Sequence, residues 1–322
     1  MNWTGKTVLV TGAGGFIGSH LAERLATLGA RVRAFVRYNA RGSLGFIDRF
    51  DYSVRREIEV VQGDLTSPES VRSAARGAQA IFHLGAMISI PYSFVNPRDF
   101  VAVNVEGTLN VLQAARDAEV EKLVHVSTSE VYGTPRTVPI REDAPLAAQS
   151  PYAATKVGAD MLARSFQLSF NLPVAIARPF NTYGPRQGPR AVIPTVVTQA
   201  LREEEIRLGS VETGRDFVFV DDTVAGLVAV AESPKSVGEV IQLGTGREVK
   251  VDAVAEMILG IMGVKKPIVF DPSRVRPGGS EVMRLLADPA KARTMLGWEA
   301  RVPLEEGLRR TIDWIEKAWG DA

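Results

Sequence analysis

The chain has 322 residues, 45% hydrophobic and 23% charged, which suits one large domain or two modest ones and excludes disorder and collagen-like repetition. With 38 Lys and Arg against 37 Asp and Glu the formal net charge is +1, so no overall field draws the protein onto nucleic acid or an anionic membrane. Cysteine is absent, which removes disulfides, zinc–thiolate sites and cysteine nucleophiles together and suits a reducing compartment.

The N-terminus, MNWTGKTVLVTG, reads as a strand approaching a turn and lacks the order of a signal peptide. The most apolar stretch, around Ala80 to Pro91, is short of the roughly 20 residues that cross a bilayer. The expectation is a soluble, cytoplasmic protein with no nucleic-acid or membrane partner.

Short β-branched runs then alternate with longer amphipathic segments, the pattern of a parallel sheet with helical crossovers. The first strand, Thr7–Thr11, runs through Gly12, Gly15 and Gly18 into a helix over Ile17–Leu28. Glycines in the first strand-to-helix turn let the backbone approach a pyrophosphate at a helix N-terminus, and this reading outweighs a purely steric turn. Phe16 and Ile17 belong to the same cofactor-binding turn. The second strand, Val32–Val36, ends in VRYNARGS, with no acid to meet a ribose 2′-hydroxyl. Arg37 and Arg41, with Ser43 behind them, suit a 2′-phosphate instead, so NADP is expected over NAD; the alternative is a solvated basic surface.

The third strand, Ile58–Gln62, leads to Asp64 and Leu65, where Asp64 sits at the adenine edge or serves as a helix cap or turn residue. A helix over Pro68–Arg76 and a strand over Ala80–Leu84 follow, with Leu84 and Ala86 expected against the cofactor. Asn104 precedes a helix over Val105–Ala118 and either holds water or backbone near the site or caps that helix. The strand Leu123–Ser127 ends in Ser127, Thr128, Ser129 and Glu130, which face the crevice beyond the sheet's carboxyl edge. Tyr152 and Lys156 open a helix over Ala153–Phe170 on one face, where the ammonium is expected to lower the phenol's pKa; an ordinary amphipathic helix is the plain alternative. His20, His83 and His125 lack ligand spacing and read as structural, with no metal implied.

After the sixth strand, Val174–Arg178, the rhythm loosens into RPFNTYGPRQGPRAVIPT. It resumes with DFVFV, a helix from Asp222, the strand EVIQL, a helix over Val251–Gly263, a short strand near Ile268 and a last helix over Leu304–Trp319. The expected division is a dinucleotide domain of residues 1–178 plus 215–244 and a smaller lobe of residues 179–214 plus 245–322.

Gly12, Gly15 and Gly18, Asn104, Thr128, Tyr152 and Lys156, together with NTYGPR, GRDFVFVDD, the RPG at Arg276–Gly278 and ADPAKARTMLGW, resemble the extended short-chain dehydrogenase/reductase family. The likeness runs through nearly the whole chain. It implies an α/β, Rossmann-type doubly wound parallel sheet, a small C-terminal α/β lobe for a nucleotide sugar, a tightly held and recycled NAD(P), and a homodimer built from two long helices of each subunit. It also implies that Ser89, Asn181, Arg190, Arg215 and Arg276 bind substrate. Thr128-Ser129-Glu130 is similar to GDP-mannose 4,6-dehydratases and UDP-glucuronate decarboxylases, whereas simple 4-epimerases lack that acid. ISIPYSF, STSEVYGT and SPYAATKVGAD look most like NDP-N-acetylglucosamine 4,6-dehydratases. The implied catalytic set is Thr128, Ser129, Glu130, Tyr152 and Lys156, with Glu130 as the base. Without an Asp at position 129, Glu130 also serves to protonate the departing hydroxyl. The rivals are a UDP-glucuronate decarboxylase, a UDP-hexose 4-epimerase and a non-enzymatic NADP-binding regulator.

Overall fold

The computed structural model describes residues 1–319, so the last three positions of the expected C-terminal lobe lie outside the described residues. Strand β1 (Thr7–Thr11) turns into α1 (Phe16–Thr27), and β2 (Arg31–Arg37), α2 (Tyr52–Arg55), β3 (Ile58–Gly63), α3 (Pro68–Ala75) and β4 (Ala80–His83) continue the alternation. A helical stretch follows, made of α4 (Ile90–Val95), α5 (Pro97–Val101), a π-helical turn over Ala102–Glu106 and α6 (Gly107–Asp117). Next come β5 (Lys122–Val126), α7 (Pro151–Phe170) and β6 (Val174–Pro179). Beyond them lie β7 (Asn181–Tyr183), α8 (Val192–Arg202), β8 (Ile206–Leu208), β9 (Gly214–Arg215), β10 (Phe217–Phe219), α9 (Val220–Glu232) and β11 (Val240–Leu243). The described chain closes with β12 (Val249–Lys250), α10 (Val251–Met262), β13 (Ile268–Phe270), β14 (Arg284–Leu285), α11 (Ala290–Leu296) and α12 (Leu304–Trp319).

Seven strands form one parallel sheet in the order β11-β6-β5-β4-β1-β2-β3. Helices cover both faces, so inner strands are buried on both sides and every residue of β5 and β6 is buried. The period of two is visible in β1: Val8 and Val10 pack with Leu21 and Leu25 of α1, while Leu9 packs with Val111 and Leu112 of α6 on the opposite face. Strand order reverses between β1 and β4, and the crevice beyond the strands' carboxyl ends at that point is the place for a ligand. Three small sheets, β10-β7, β12-β9-β14 and β13-β8, stand outside the main one.

The expected doubly wound order is present, with element ends shifted by a residue or two. Two helices depart from expectation for identifiable reasons. The helix expected over Val105–Ala118 is already helical from Pro97, because Pro97 suits a first turn and the π turn carries the helix through residues with no clear period. The Pro- and Gly-rich stretch read as loop contains the start of α8, since Pro194 lies in its first turn, where a missing N–H costs nothing.

Candidate active site

At the switch point Gly12 has φ +71°, and a Cβ there would stand 2.9 Å from Gly85 backbone. A Cβ on Gly18 would run into the Gly12 carbonyl oxygen, so α1 packs against the turn only with glycine there. Gly15 is the N-cap of α1, contributes no side-chain cap, and no acid lies in the first turn that includes Phe16 and Ile17. The orphan N–H groups and the positive end of the helix therefore suit an anion such as a pyrophosphate. These residues fit a dinucleotide.

At the end of β2, Asn39 shapes the loop: its Oδ1 accepts from Arg41 N and Ser43 N, both at 3.2 Å, and its Nδ2 donates to Ser43 O at 2.7 Å. Arg37 and Arg41 stay exposed there, whereas the Ser43 hydroxyl is given to Asp48 at 3.2 Å, so it is not the free phosphate donor expected of it. Asp64 lies 3.9 Å from Arg37. Its Oδ1 takes the N–H and hydroxyl of Thr66 at 2.9 and 2.8 Å, so it is a turn residue, and the Thr66 N–H is the main reason its carboxyl is held below the usual range. The cap of α3 is Ser67. Leu65 is buried, and its carbonyl accepts from Asn110 at 2.8 Å.

Asn104 sits within the π turn and caps nothing. Its amide grips Met87 through both N and O, at 2.8 and 3.0 Å, and donates to Thr155 Oγ1 of α7 at 3.0 Å. It thereby fixes the loop after β4, which carries Leu84 and Ala86. Ser89 ends that loop as the N-cap of α4, accepting from Tyr92 N.

Ser150 caps α7, with Pro151 behind it, and aims the first turn at the end of β5. Lys156 Nζ donates to Val126 O at 2.8 Å. Thr128 caps a 3₁₀ turn over Ser129–Tyr132 by accepting from Glu130 N at 3.2 Å, which brings buried Ser129 and Glu130 beside the start of α7. Burial pushes the Tyr152 phenol above its ordinary value; the Thr128 hydroxyl acts the other way, and the charges of Glu130 and Asp160 add to the rise. Lys156 donates to the Val126 carbonyl, and desolvation of the phenolate outweighs the influences that lower Tyr152. Burial brings Lys156 itself down to about 8, against the pull of Asp160.

Beneath this pair lies a polar floor that sequence reasoning missed. Asp160 Oδ2 accepts from Ser127 Oγ at 2.9 Å and from Arg178 Nη2 at 2.7 Å, and its Oδ1 lies 3.2 Å from His125 Nε2. Arg178 also donates to the Tyr132 hydroxyl at 2.8 Å, which accepts from Gln242 of β11 at 2.7 Å. Burial alone would raise Asp160, but His125, Arg178 and Lys156 outweigh it and hold the carboxyl down to about 2. The signal was available: Tyr152, Lys156 and Asp160 are spaced by four on one helical face. His83 is tied to Thr11 and Thr108 and His20 to the Pro185 carbonyl, as structural histidines are.

Asp160→Asn will remove the charge that keeps the Lys156 proton in place, so Lys156 will deprotonate at lower pH. The alkaline limb of a pH–rate profile will move to the acid side. Thermal unfolding will record a loss of about 3–5 kcal/mol, since Arg178 is left buried without a counter-ion.

The expected substrate groups divide. Arg276 Nη1 lies 3.5 Å from Glu130 Oε2, Arg276 Nε 3.7 Å from Glu281 Oε1, and Arg215 Nη2 3.4 Å from that same oxygen. Two arginines and two carboxylates thus form one cluster at the mouth of the Tyr152 site. Asn181 Oδ1 is buried and without a hydrogen-bond partner. Arg190 is exposed ahead of α8 and shares no hydrogen bond or ion pair with these groups.

The chain belongs to the GDP-mannose 4,6 dehydratase family, whose model matches residues 9–311. It is 36% identical to the UDP-glucose 4-epimerase of Mycolicibacterium smegmatis, over 95% of this chain and 97% of that one. Its fold matches the dTDP-glucose 4,6-dehydratase of Streptomyces venezuelae, solved with NAD bound, at a TM-score of 0.86 and 32% identity over 98% of both chains. It matches the UDP-glucuronic acid 4-epimerase of Bacillus cereus, solved with UDP-glucuronic acid and NAD, at 0.89 and 28% identity over 97% of this chain and all of the other. The protein is therefore an enzyme of the NAD-dependent nucleotide-sugar dehydratase and epimerase class. Among the described residues no helix is long and apolar enough to cross a membrane.

Proposed function

We propose that this protein is a nucleotide-sugar 4,6-dehydratase, acting on an NDP-hexose of the UDP- or GDP-N-acetylglucosamine kind and yielding the NDP-4-keto-6-deoxy sugar. The observation that carries the reading is Glu130: a buried carboxylate, 3.5 Å from Arg276 and close enough to the Tyr152 phenol to raise its pKa. Oxidation and reduction at C4 alone need no such base. The bound nicotinamide would supply the hydride chemistry, accepting at C4 and returning at C6.

The chain's own groups account for the protons. Tyr152 takes the proton of the C4 hydroxyl in its phenolate form, with Thr128 beside it and the positive charge of Lys156 below to favour that form. Once C4 is a ketone the C5 proton is acidic, and Glu130 removes it. Glu130 then passes that proton to the hydroxyl leaving C6, so water departs; Ser129, in place of an acid, leaves both duties to Glu130. As hydride returns to C6, C5 takes up one proton from solvent through Glu130, which balances the C4-hydroxyl proton that Tyr152 received and releases. Arg215, Arg276 and Asn181 would hold the diphosphate and sugar, with Ser89 and Arg190 as further contacts.

For the cofactor the proposal is NADP, held by Gly12, Gly15, Phe16, Ile17 and Gly18 at the pyrophosphate and by Arg37 and Arg41 at the 2′-phosphate. Asp64, Leu65, Leu84, Ala86 and Asn104 line the remainder. Arg37→Ala will weaken NADP binding about tenfold and leave NAD binding unchanged, the weight of one charge-assisted contact. A titration with both cofactors checks this, and recovery of NAD alone from the purified protein would reverse the assignment. A homodimer through α6 and α7 fits the exposure of Met161 and Leu168, seven apart on α7.

The deciding experiment incubates the protein with UDP-, GDP- and dTDP-hexoses and weighs the products. Loss of water to a 4-keto-6-deoxy sugar is expected. Loss of carbon dioxide, or an intact epimerised hexose, would overturn the dehydratase reading and leave the family standing.

A further inference from the structure

The structure's well-made ion pairs are short and fully engaged. Arg178 reaches Asp160 at 2.7 and 3.1 Å, and Arg284 reaches Glu248 through Nε at 2.8 Å and through Nη2 as well. The cluster around Glu281 is built differently. Its single oxygen Oε1 is shared by two guanidinium groups, 3.4 Å from Arg215 and 3.7 Å from Arg276, both beyond the 2.7–2.9 Å of a strong charge-assisted hydrogen bond. Arg276 Nη1 is buried, 3.5 Å from Glu130, and makes no hydrogen bond among the described residues.

The backbone beneath is fixed all the same. Gln149 Nε2 donates to Gly279 O at 2.8 Å, and Ser280 is buried. Arg215 stands on β9, and Arg276 and Glu281 share one held segment, while the side-chain contacts of Glu281 to both guanidinium groups are long, an arrangement suited to exchange of the acceptor.

Charge counting gives the direction of that exchange. Arg215 and Arg276 against Glu130 and Glu281 sum to zero, and a diphosphate brings about two further negative charges into a largely buried site. It binds well only if a carboxylate withdraws. Glu130 is the more enclosed of the two, with 11% of its side chain exposed against 21% for Glu281. Glu281 is the carboxylate free to leave.

We infer that Glu281 is a built-in stand-in for the substrate's diphosphate: it holds Arg215 and Arg276 in place and yields them to the arriving phosphates, an exchange that also draws Arg276 away from Glu130. Glu130 is then released from its contact with Arg276 only when a nucleotide sugar is seated. Glu281 is a positioning residue in this scheme and touches no reacting atom. The inference rests on the proposed placement of the diphosphate.

The test measures binding of UDP, GDP and dTDP, with the unphosphorylated nucleosides as controls, to cofactor-loaded wild type, Glu281→Gln and Glu281→Asp. Removing a competing carboxylate in Glu281→Gln is expected to tighten the best diphosphate about three- to fivefold, the weight of a long, partly exposed pair. Nucleoside binding should not change, and Glu281→Asp should behave as wild type. A purely structural Glu281 would instead make the Gln variant bind diphosphate as wild type does or more weakly, and either result overturns the exchange while leaving the dehydratase reading intact. Failure of every variant, wild type included, to bind any nucleoside diphosphate would overturn the substrate class and the exchange together.

Discussion

Glu130→Gln will slow water loss by about 10²–10⁴-fold, the usual weight of a positioned acid–base group, while C4 oxidation continues. Glutamine keeps the shape of the side chain and its place in the 3₁₀ turn but accepts no proton, so the 4-keto hexose forms and stalls with its C6 hydroxyl intact. Trapping with borodeuteride and weighing the sugar will reveal it. In deuterated solvent the wild type will place one deuterium at C5 of the product, and the variant none. Normal water loss from Glu130→Gln would take the base away from this residue and leave the dehydratase assignment standing with another group as its base.

Tyr152→Phe will act one step earlier. The ring is buried and edge-on to Phe100, with centroids 6.4 Å apart, and phenylalanine preserves that packing, so the variant should fold and retain cofactor. It lacks the hydroxyl that takes the C4 proton. Turnover is expected to fall by about 10²–10⁴-fold, with neither trapped ketone nor deuterium at C5. The contrast with Glu130→Gln is the informative quantity: one variant should accumulate ketone and the other should not. If both accumulate it, Tyr152 is not the oxidation base.

Much of this was legible in the sequence because it depends on local chemistry. A short β-branched run, TVLVT, followed by three glycines dictates a strand, a tight turn and a helix, and a spacing of four places Tyr152 and Lys156 on one face. What was illegible depends on distant segments meeting. The direction of the Tyr152 shift follows from burial, which no spacing reveals. The Ser43 hydroxyl is lost to Asp48, and Glu281 meets Arg215 only because β14 pairs beside β9. Asp160 is a third case: its spacing from Lys156 was plain, but its importance comes from Arg178, which arrives on the neighbouring strand.

Strand β11 completes the main sheet beside β6, yet Val240 follows Pro179 by about sixty residues. Until that length has been synthesised, β6 is an open edge with apolar faces, the kind of strand that pairs with the wrong chain. Closing it requires a long-range contact, which is entropically slow to form, and the same strand brings Gln242 to Tyr132. The polar floor beneath Tyr152 is therefore complete only once β11 has been made, and a chaperone that shields β6 until then would protect the sheet edge and that floor at once.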